Sequence, residues 1–376
     1  MGLVRRTLLI TNDFPPRVGG IQTYLHSLAT RLPAEDLVVY APAFSGHQEF
    51  DAAQPFEVVR HAGGLMLPVP DVLRRAREIL IAKECTGVWF GASAPLALIT
   101  PWLRQAGARR VLACTHGHEV GWSMFPGSRQ VLRKIGDTVD VLTFVSRYTR
   151  SRFASAFGPQ AALEYLPSGV DTEFFRPDRE AGARIRERHG LTDRPVIVCV
   201  SRLVARKGQD MLVKALPEIH KSVPDAALLI VGEGPYLDSL RRLAHEAGVI
   251  DHVVFTGEVP WEEIPAHYNA GDVFAMPCRT RGKGLDVEGL GLVFLEAAAC
   301  GLPVVAGRSG GAPEAVRDGE TGFVVEGTDV AELSEVLTSL LADRQAAVTM
   351  GRLGRVWVES AWDWSRLAER FIALMA

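Results

Sequence analysis

Thirteen short runs rich in β-branched residues, separated by amphipathic stretches, constrain this chain more than any other feature. In the first half they are TLLITN, LVVYAP, FEVVRH, GVWFG, RVLACTHG, VLTFVS and LEYLPSG. In the second half they are VIVCVSR, ALLIVGEG, VVFTGEV, DVFAMPC, PVVAG and GFVVEG. Most are continuously apolar rather than alternating, which marks strands buried on both faces. Stretches between them, such as DVLRRAREILIAKE and PYLDSLRRLAHEAG, are amphipathic at helical spacing. Strands alternating with helices imply parallel sheets in doubly wound α/β domains, and the pattern occurs twice. A length of 376 residues also exceeds one ordinary core. The boundary falls in LPSGVDTEFFRPDRE, rich in Gly, Pro and Asp. The expected domains are 1–169 and 170–358, with a terminal helix at about 359–376 crossing back to the first.

A hydrophobic content of 47% with 23% charged residues fits a soluble globular protein. No run of about 18 apolar residues is present, so no membrane-spanning helix is expected. The opening MGLVRRTLLITNDFPP reads as a strand rather than a signal peptide, because its apolar run breaks at Asn12–Asp13 without a small-residue cleavage site. Five cysteines without a C-x-x-C point to a reducing compartment and away from zinc. Residues 1–170 hold 18 Lys and Arg against 13 Asp and Glu; the remainder hold 23 against 31. A basic first half suits an acidic partner such as phosphate, nucleic acid or an anionic membrane, or is ordinary surface variation.

The chemistry concentrates in DVEGLGLVFLEAAACGLPVVA, where Glu288 and Glu296 stand eight positions apart in an apolar setting. A buried carboxylate needs a partner or a ligand. The glycines precede a helix that Gly301 ends, so backbone amides and the positive dipole end can face an anion. Two acids flanking such a site suit a sugar nucleotide; alternatively, one acid is a cap and the other pairs with an Arg. In SRLVARKGQD, Arg202 and Lys207 close a strand and open a helix, where ligands of open α/β sheets sit. Two fixed cations there would stabilise a departing diphosphate. DFPPRVGGIQTYLHSLA places Gly19 and Gly20 at another helix start. It lacks the G-x-G-x-x-G spacing and the downstream acid of a dinucleotide site, and GEGPYL matches only weakly, which disfavours NAD. CTHGHEVGW gathers His116, His118 and Glu119 without the H-E-x-x-H spacing of a zinc site, so a sugar-binding or structural His is favoured. CRTRGKGLDVEGLG, with Arg279, Arg281 and Lys283, reads as a mobile active-site loop.

The E-x7-E stretch, SRLVARKGQD, RVGGIQTYL and SGGAPEAVRDGETGFVVEG together resemble the large retaining glycosyltransferase family four over nearly the whole chain. That resemblance implies the GT-B fold: two Rossmann-like domains facing a cleft, with a C-terminal helix crossing back. TNDFPPRVGGIQTYL, VWFGASAPLAL, THGHEVGWSM, FAMPCRTRG and GLDVEGLG resemble more narrowly the actinobacterial phosphatidylinositol-mannoside mannosyltransferases. These transfer mannose from GDP-mannose to the inositol 6-position of phosphatidylinositol monomannoside.

On that resemblance Gly19, Arg202 and Lys207 hold the pyrophosphate and Glu296 the ribose. Glu288, the amides of Gly289, Leu290, Gly291 and Leu292, and His118 hold the mannose, and the base meets backbone near Val259. Asp13, Arg17 and Gly20 face the acceptor. Family members retain anomeric configuration and need neither metal nor cofactor. With no general base evident, a front-face transfer is expected, the leaving phosphate oxygen taking the acceptor proton. The lipid acceptor gives the basic half a use: Arg129, Arg133 and Lys134, then Arg147, Arg150 and Arg152 beside Tyr148 and Phe153, with GGLMLPVP as an apolar tip, would rest on the anionic inner leaflet. The expected location is cytoplasmic and peripheral, without nucleic acid. Alternatives are a family-four enzyme using another nucleotide sugar and acceptor, a GT-B sugar-nucleotide epimerase, an NAD oxidoreductase, or a nucleotide-sugar binding protein that transfers nothing.

Overall fold

The computed structural model describes residues 5–284 and 286–376; the Lys283 side chain and Leu285 of the glycine-rich loop lie outside the described set. The chain divides into two compact units, residues 1–169 with 364–376, and residues 170–363.

The first unit is built on seven strands: β1 (Thr7–Ile10), β2 (Leu37–Pro42), β3 (Glu57–His61), β4 (Gly87–Phe90), β5 (Arg110–Cys114), β6 (Val141–Phe144) and β7 (Ala162–Tyr165). They lie side by side as β3-β2-β1-β4-β5-β6-β7, every pair parallel. The continuous apolar runs have the burial they require, with β1, β2, β4 and β6 buried at every residue. One face is covered by helices Pro70–Ala82, Thr100–Gln105, Pro126–Gly136 and Arg147–Phe157, through Val72, Ile79, Leu103, Leu132, Phe153 and Phe157. The other is covered by helix Gly20–Ala29 and helix Trp364–Met375. Phe371 packs on Trp89 of β4 at 4.5 Å between rings, and Arg110 Nε donates to Leu374 O at 2.8 Å.

The returning helix therefore begins at Trp364; residues 359–361, expected to belong to it, close the preceding helix Arg344–Ala361. The break is fixed by two bonds within the second unit: Val170 N–H to Trp362 O at 2.9 Å, and the Thr172 hydroxyl to Asp363 at 2.8 Å.

The second unit repeats the plan with β8 (Val196–Val200), β9 (Ala227–Val231), β10 (Val253–Phe255), β11 (Val273–Met276), β12 (Val304–Gly307) and β13 (Gly322–Val325). Their order is β10-β9-β8-β11-β12-β13, all parallel. In each sheet the winding reverses beside its first strand, between β1 and β4 and between β8 and β11. Loops from the carboxyl ends of such a pair diverge and leave a crevice where ligands of open sheets bind.

The GEGP turn after β9 is bonded to the chains that leave β8 and β10. Glu233 O accepts from Leu203 N–H at 2.8 Å, and Gly232 N–H donates to Gly257 O at 3.0 Å. The first bond braces the chain leaving β8 and the second the chain leaving β10.

Candidate active site at the switch points

In the second unit the reversal brings together the loop after β8, the loop after β11 and the turn after β12. Lys207 ends a short 3-10 turn and Glu288 lies just before helix Leu292–Ala299. Lys207 Nζ donates to Glu288 Oε2 at 2.7 Å, with both residues under 10% exposed. Arg206 stands beside them, Nε 3.9 Å from the same oxygen and Nη1 3.7 Å from Asp286. The first of the two acids thus has its partner, a cation 81 positions earlier. Arg202, expected to join Lys207, presents an exposed side chain.

Glu288 is fixed by its backbone as well. Its N–H donates to Ser309 Oγ at 3.3 Å and its carbonyl accepts from Gly311 N–H at 2.9 Å. Between them Gly310 has φ +56, and a Cβ there would sit 2.0 Å from the Glu288 carbonyl oxygen, so only glycine fits. The glycine-rich loop is anchored at its start. Arg279 grips Asp210 with two nitrogens at 3.0 Å, both side chains largely buried, and donates its N–H to Arg206 O. Arg281 and Asp286 then bridge across the turn. The loop expected from composition to be mobile thus carries described bonds at Arg279 and between Arg281 and Asp286.

Glu296 lies on the fifth residue of helix Leu292–Ala299, whose N-cap is Gly291. Gly289 is half-buried and Leu290 buried ahead of it. Glu296 Oε2 accepts the Tyr268 hydroxyl at 2.7 Å. Burial pushes the Glu296 carboxyl up to about 7, against the opposing pull of the Tyr268 hydroxyl and Lys207. Val259 is half-buried in the loop after β10, two strands removed from β8.

In the first unit the loops after β1, β4 and β5 converge in the same manner. Gly19 caps helix Gly20–Ala29; a Cβ there would lie 2.3 Å from the Gln22 amide oxygen. Gln22 in turn donates to Asp13 at 3.0 Å. Arg17 and Gly20 are exposed, Arg17 over the Phe44 ring at 5.8 Å. The H-x-H-E run divides its labour. His116 Nε2 bonds Gly91 O at 2.7 Å, its ring meets Tyr24 edge-on, and burial holds it below the ordinary imidazole value. Glu119, wholly buried, accepts from the Ser93 hydroxyl at 3.0 Å and from the His116 and Gly117 N–H groups at 3.1 Å. His118 keeps 39% of its side chain exposed, with Nε2 3.3 Å from Glu119 Oε1. Among the described residues no group of three or more His, Cys, Asp or Glu could hold a metal ion.

Phe153, expected on a membrane-facing surface, is fully buried in the first core, one turn before Phe157. The exposed large apolar side chains described in the first unit are Val18, then Leu65, Leu67 and Val69 of the expected GGLMLPVP tip, and Ile81, Trp102, Met124 and Phe125. Tyr268, Ser309, Gly310, Arg206, Ser93 and the anchoring part of Glu119 were not read from sequence. Arg206, Ser309 and Gly310 stand inside the motifs SRLVARKGQD and SGGAPEAVRDGETGFVVEG, yet their partners, like those of Tyr268 and Ser93, lie in other segments, and Glu119 adds two N–H groups close by to its bond with Ser93.

The amino-terminal region, residues 18–174, matches the family described as Glycosyltransferase Family 4, and residues 183–357 match Glycosyl transferases group 1. The GDP-mannose-dependent alpha-(1-6)-phosphatidylinositol monomannoside mannosyltransferase of Mycolicibacterium smegmatis is 60% identical over 373 residues, 98% of each chain. A relative from Corynebacterium glutamicum, named for the monoacylated monomannoside, is 51% identical over 100% of this chain and 99% of its own. The structure of Anabaena Alr3699/HepE in complex with UDP has the same fold, with TM-score 0.80 at 20% identity over 98% of both chains. Sucrose-phosphate synthase from Thermosynechococcus elongatus gives TM-score 0.74 at 22% identity over 98% of both. The chain therefore belongs to glycosyltransferase family 4, and its two Rossmann-like units are the GT-B architecture.

Proposed function

We propose that this protein is a retaining α-mannosyltransferase that moves mannose from GDP-mannose to the inositol 6-position of phosphatidylinositol monomannoside, giving the dimannoside. The observation that carries the reaction class is the Lys207–Glu288 pair at the second switch point, which sets a cation suited to a diphosphate beside a carboxylate suited to sugar hydroxyls. The near full-length likeness to enzymes named for this donor and acceptor supports the substrates.

In this reading the diphosphate draws Lys207 and Arg202, and frees Glu288 to accept hydroxyls of the mannose together with the amides of 289–292. Glu296 accepts the ribose diol, and backbone near Val259 meets the base. His118 and Gly19 are assigned to the sugar and the diphosphate, and Asp13, Arg17 and Gly20 to the acceptor, from the family resemblance. The bond from C1 to the β-phosphate oxygen breaks as the inositol oxygen bonds C1 on the same face. The acceptor proton passes to the departing phosphate oxygen, and GDP leaves. Lys207 and Arg202 stabilise the charge that grows on that oxygen.

Among the described residues no helix is long and apolar enough to cross a membrane. The lipid acceptor is reached by peripheral association at the cytoplasmic face. Leu65, Leu67, Val69, Ile81 and Trp102 supply apolar contact, beside Arg74, Arg75 and Arg77 of helix Pro70–Ala82.

The deciding experiment incubates the protein with GDP-mannose and, in separate reactions, phosphatidylinositol, its monomannoside and the monoacylated monomannoside, with chelator and no added metal. Mass spectrometry reads the products, with Lys207→Ala alongside. A mannosylated product from a monomannoside, absent with phosphatidylinositol and lost in the variant, is expected. The corynebacterial relative's name makes the monoacylated lipid a second acceptor worth its own reaction. Product from plain phosphatidylinositol, or transfer only from UDP- or ADP-sugars, overturns the reading.

A further inference from the structure

Glu296 is a recognition carboxylate with a soft terminal torsion, since χ3 of glutamate has no sharp wells. Something must choose the direction in which its oxygens point. Oε2 is held by the Tyr268 hydroxyl at 2.7 Å, while Oε1 has no partner among the described residues. Tyr268 itself has little freedom. It is fully buried on helix Ile264–Asn269, with the Phe175 ring 5.9 Å away and the Phe274 ring 5.6 Å away. A tyrosine so enclosed needs a partner for its hydroxyl, and Glu296 is that partner.

We propose that Tyr268 is a positioning residue for ribose recognition, its hydroxyl fixing the Glu296 carboxylate so that Oε1 is left to accept the donor's diol. This rests on the assignment of Glu296 to the ribose. A phenol donating to the carboxylate also favours its charged form, the one able to accept two hydroxyls. The other groups facing the pair are Lys207, Cys199 and Cys300, with Arg355 beyond Cys300. Of these, Lys207 also favours the charged form, whereas the thiols stay protonated because burial raises them.

The test measures GDP and 2′-deoxyGDP binding to the full chain by calorimetry between pH 6 and 8. Tyr268→Phe keeps the ring and deletes only the hydroxyl. It should weaken GDP about tenfold, as expected for a hydrogen bond to a charged group, and 2′-deoxyGDP by much less. The pH at which GDP affinity falls should move up, and in transfer KM for GDP-mannose should rise with kcat held. Tyr268→3-fluorotyrosine, a more acidic phenol in the same packing, should move that pH down and guards against a folding defect in the first variant. Equal weakening of both nucleotides would mean a structural role and overturn the proposal, as would unchanged affinity with an unmoved pH profile. Glu296→Gln separates the two readings. If it leaves GDP binding intact, the ribose assignment itself fails; if it weakens GDP while Tyr268→Phe does not, only the part given to Tyr268 fails.

Discussion

Lys207 and Glu288 satisfy each other, 2.7 Å apart and nearly out of water. Each is assigned to a different part of the donor, so binding must exchange one internal ion pair for two contacts with the ligand. Lys207→Ala leaves Glu288 as a buried charge without its main partner, and should cost about 3 kcal/mol of stability. Lys207→Met combined with Glu288→Gln should recover most of that loss. Thermal unfolding of the two single variants and the double variant, without ligand, gives the coupling; strictly additive losses would show that the pair is not a unit.

Donor binding should release a proton. The Glu296 carboxyl, raised to about 7, is largely protonated at pH 6 in the free chain and must ionise to accept the diol. Calorimetry of GDP in buffers of different ionisation enthalpy should show close to one proton released at pH 6 and little at pH 8. The same shift has a stability counterpart. A carboxyl raised on folding stabilises the fold fully below its unfolded value near 4.5, and that contribution fades as pH rises through about 7. The ligand-free second unit should therefore lose stability between pH 4.5 and 7, an effect absent in Glu296→Gln.

His118→Ala should slow transfer about tenfold to a hundredfold while leaving GDP affinity within about twofold. Glu119→Ala is expected to do more. It strips partners from the buried Ser93 hydroxyl and from the His116 and Gly117 N–H groups, with a loss of about 2–4 kcal/mol. Melting temperature and single-turnover rate distinguish the two variants; normal turnover in His118→Ala removes its assigned part.

Phe371→Ala should cost about 3–5 kcal/mol, because its ring is wholly buried against Trp89. Chemical denaturation monitored by tryptophan fluorescence reads the loss directly.

Vesicle binding checks the membrane reading. Sedimentation with anionic vesicles at low salt should recover the protein. Trp102→Glu, or Arg74→Glu with Arg77→Glu, should reduce recovery several-fold, since each basic contact near an anionic surface contributes about 1 kcal/mol. Absence of binding by the unaltered chain would remove peripheral association.

Most strands were legible because those buried on both faces leave unbroken apolar runs between turn signals, short enough to favour a strand over a helix. Glu288 and Glu296 drew notice because a charge inside such a pattern demands an explanation, and Lys207 because it stands where a strand gives way to a helix. Tyr268 was not. In IPAHYNAGD it reads as one more aromatic on a helix, and its partner lies 28 residues on. Glu119 was read only as the neighbour of two histidines in a run that lacks zinc-site spacing, while its partners are backbone amides and Ser93 from another loop. Phe153 sat among arginines and looked superficial. Only its position one turn from Phe157, on the face that packs into the core, decides otherwise.

The helix Trp364–Met375 closes a layer over a sheet whose strands all lie before residue 166. The ribosome works in one direction, so the first sheet is made early yet keeps one face incomplete while the whole second unit is translated. That unit, an uninterrupted stretch from Val170 to Asp363, can finish folding before its predecessor. A nascent chain stalled after Asp363 should carry a protease-resistant second unit beside a first sheet with Trp89 still uncovered, and release of the last helix would supply the missing layer.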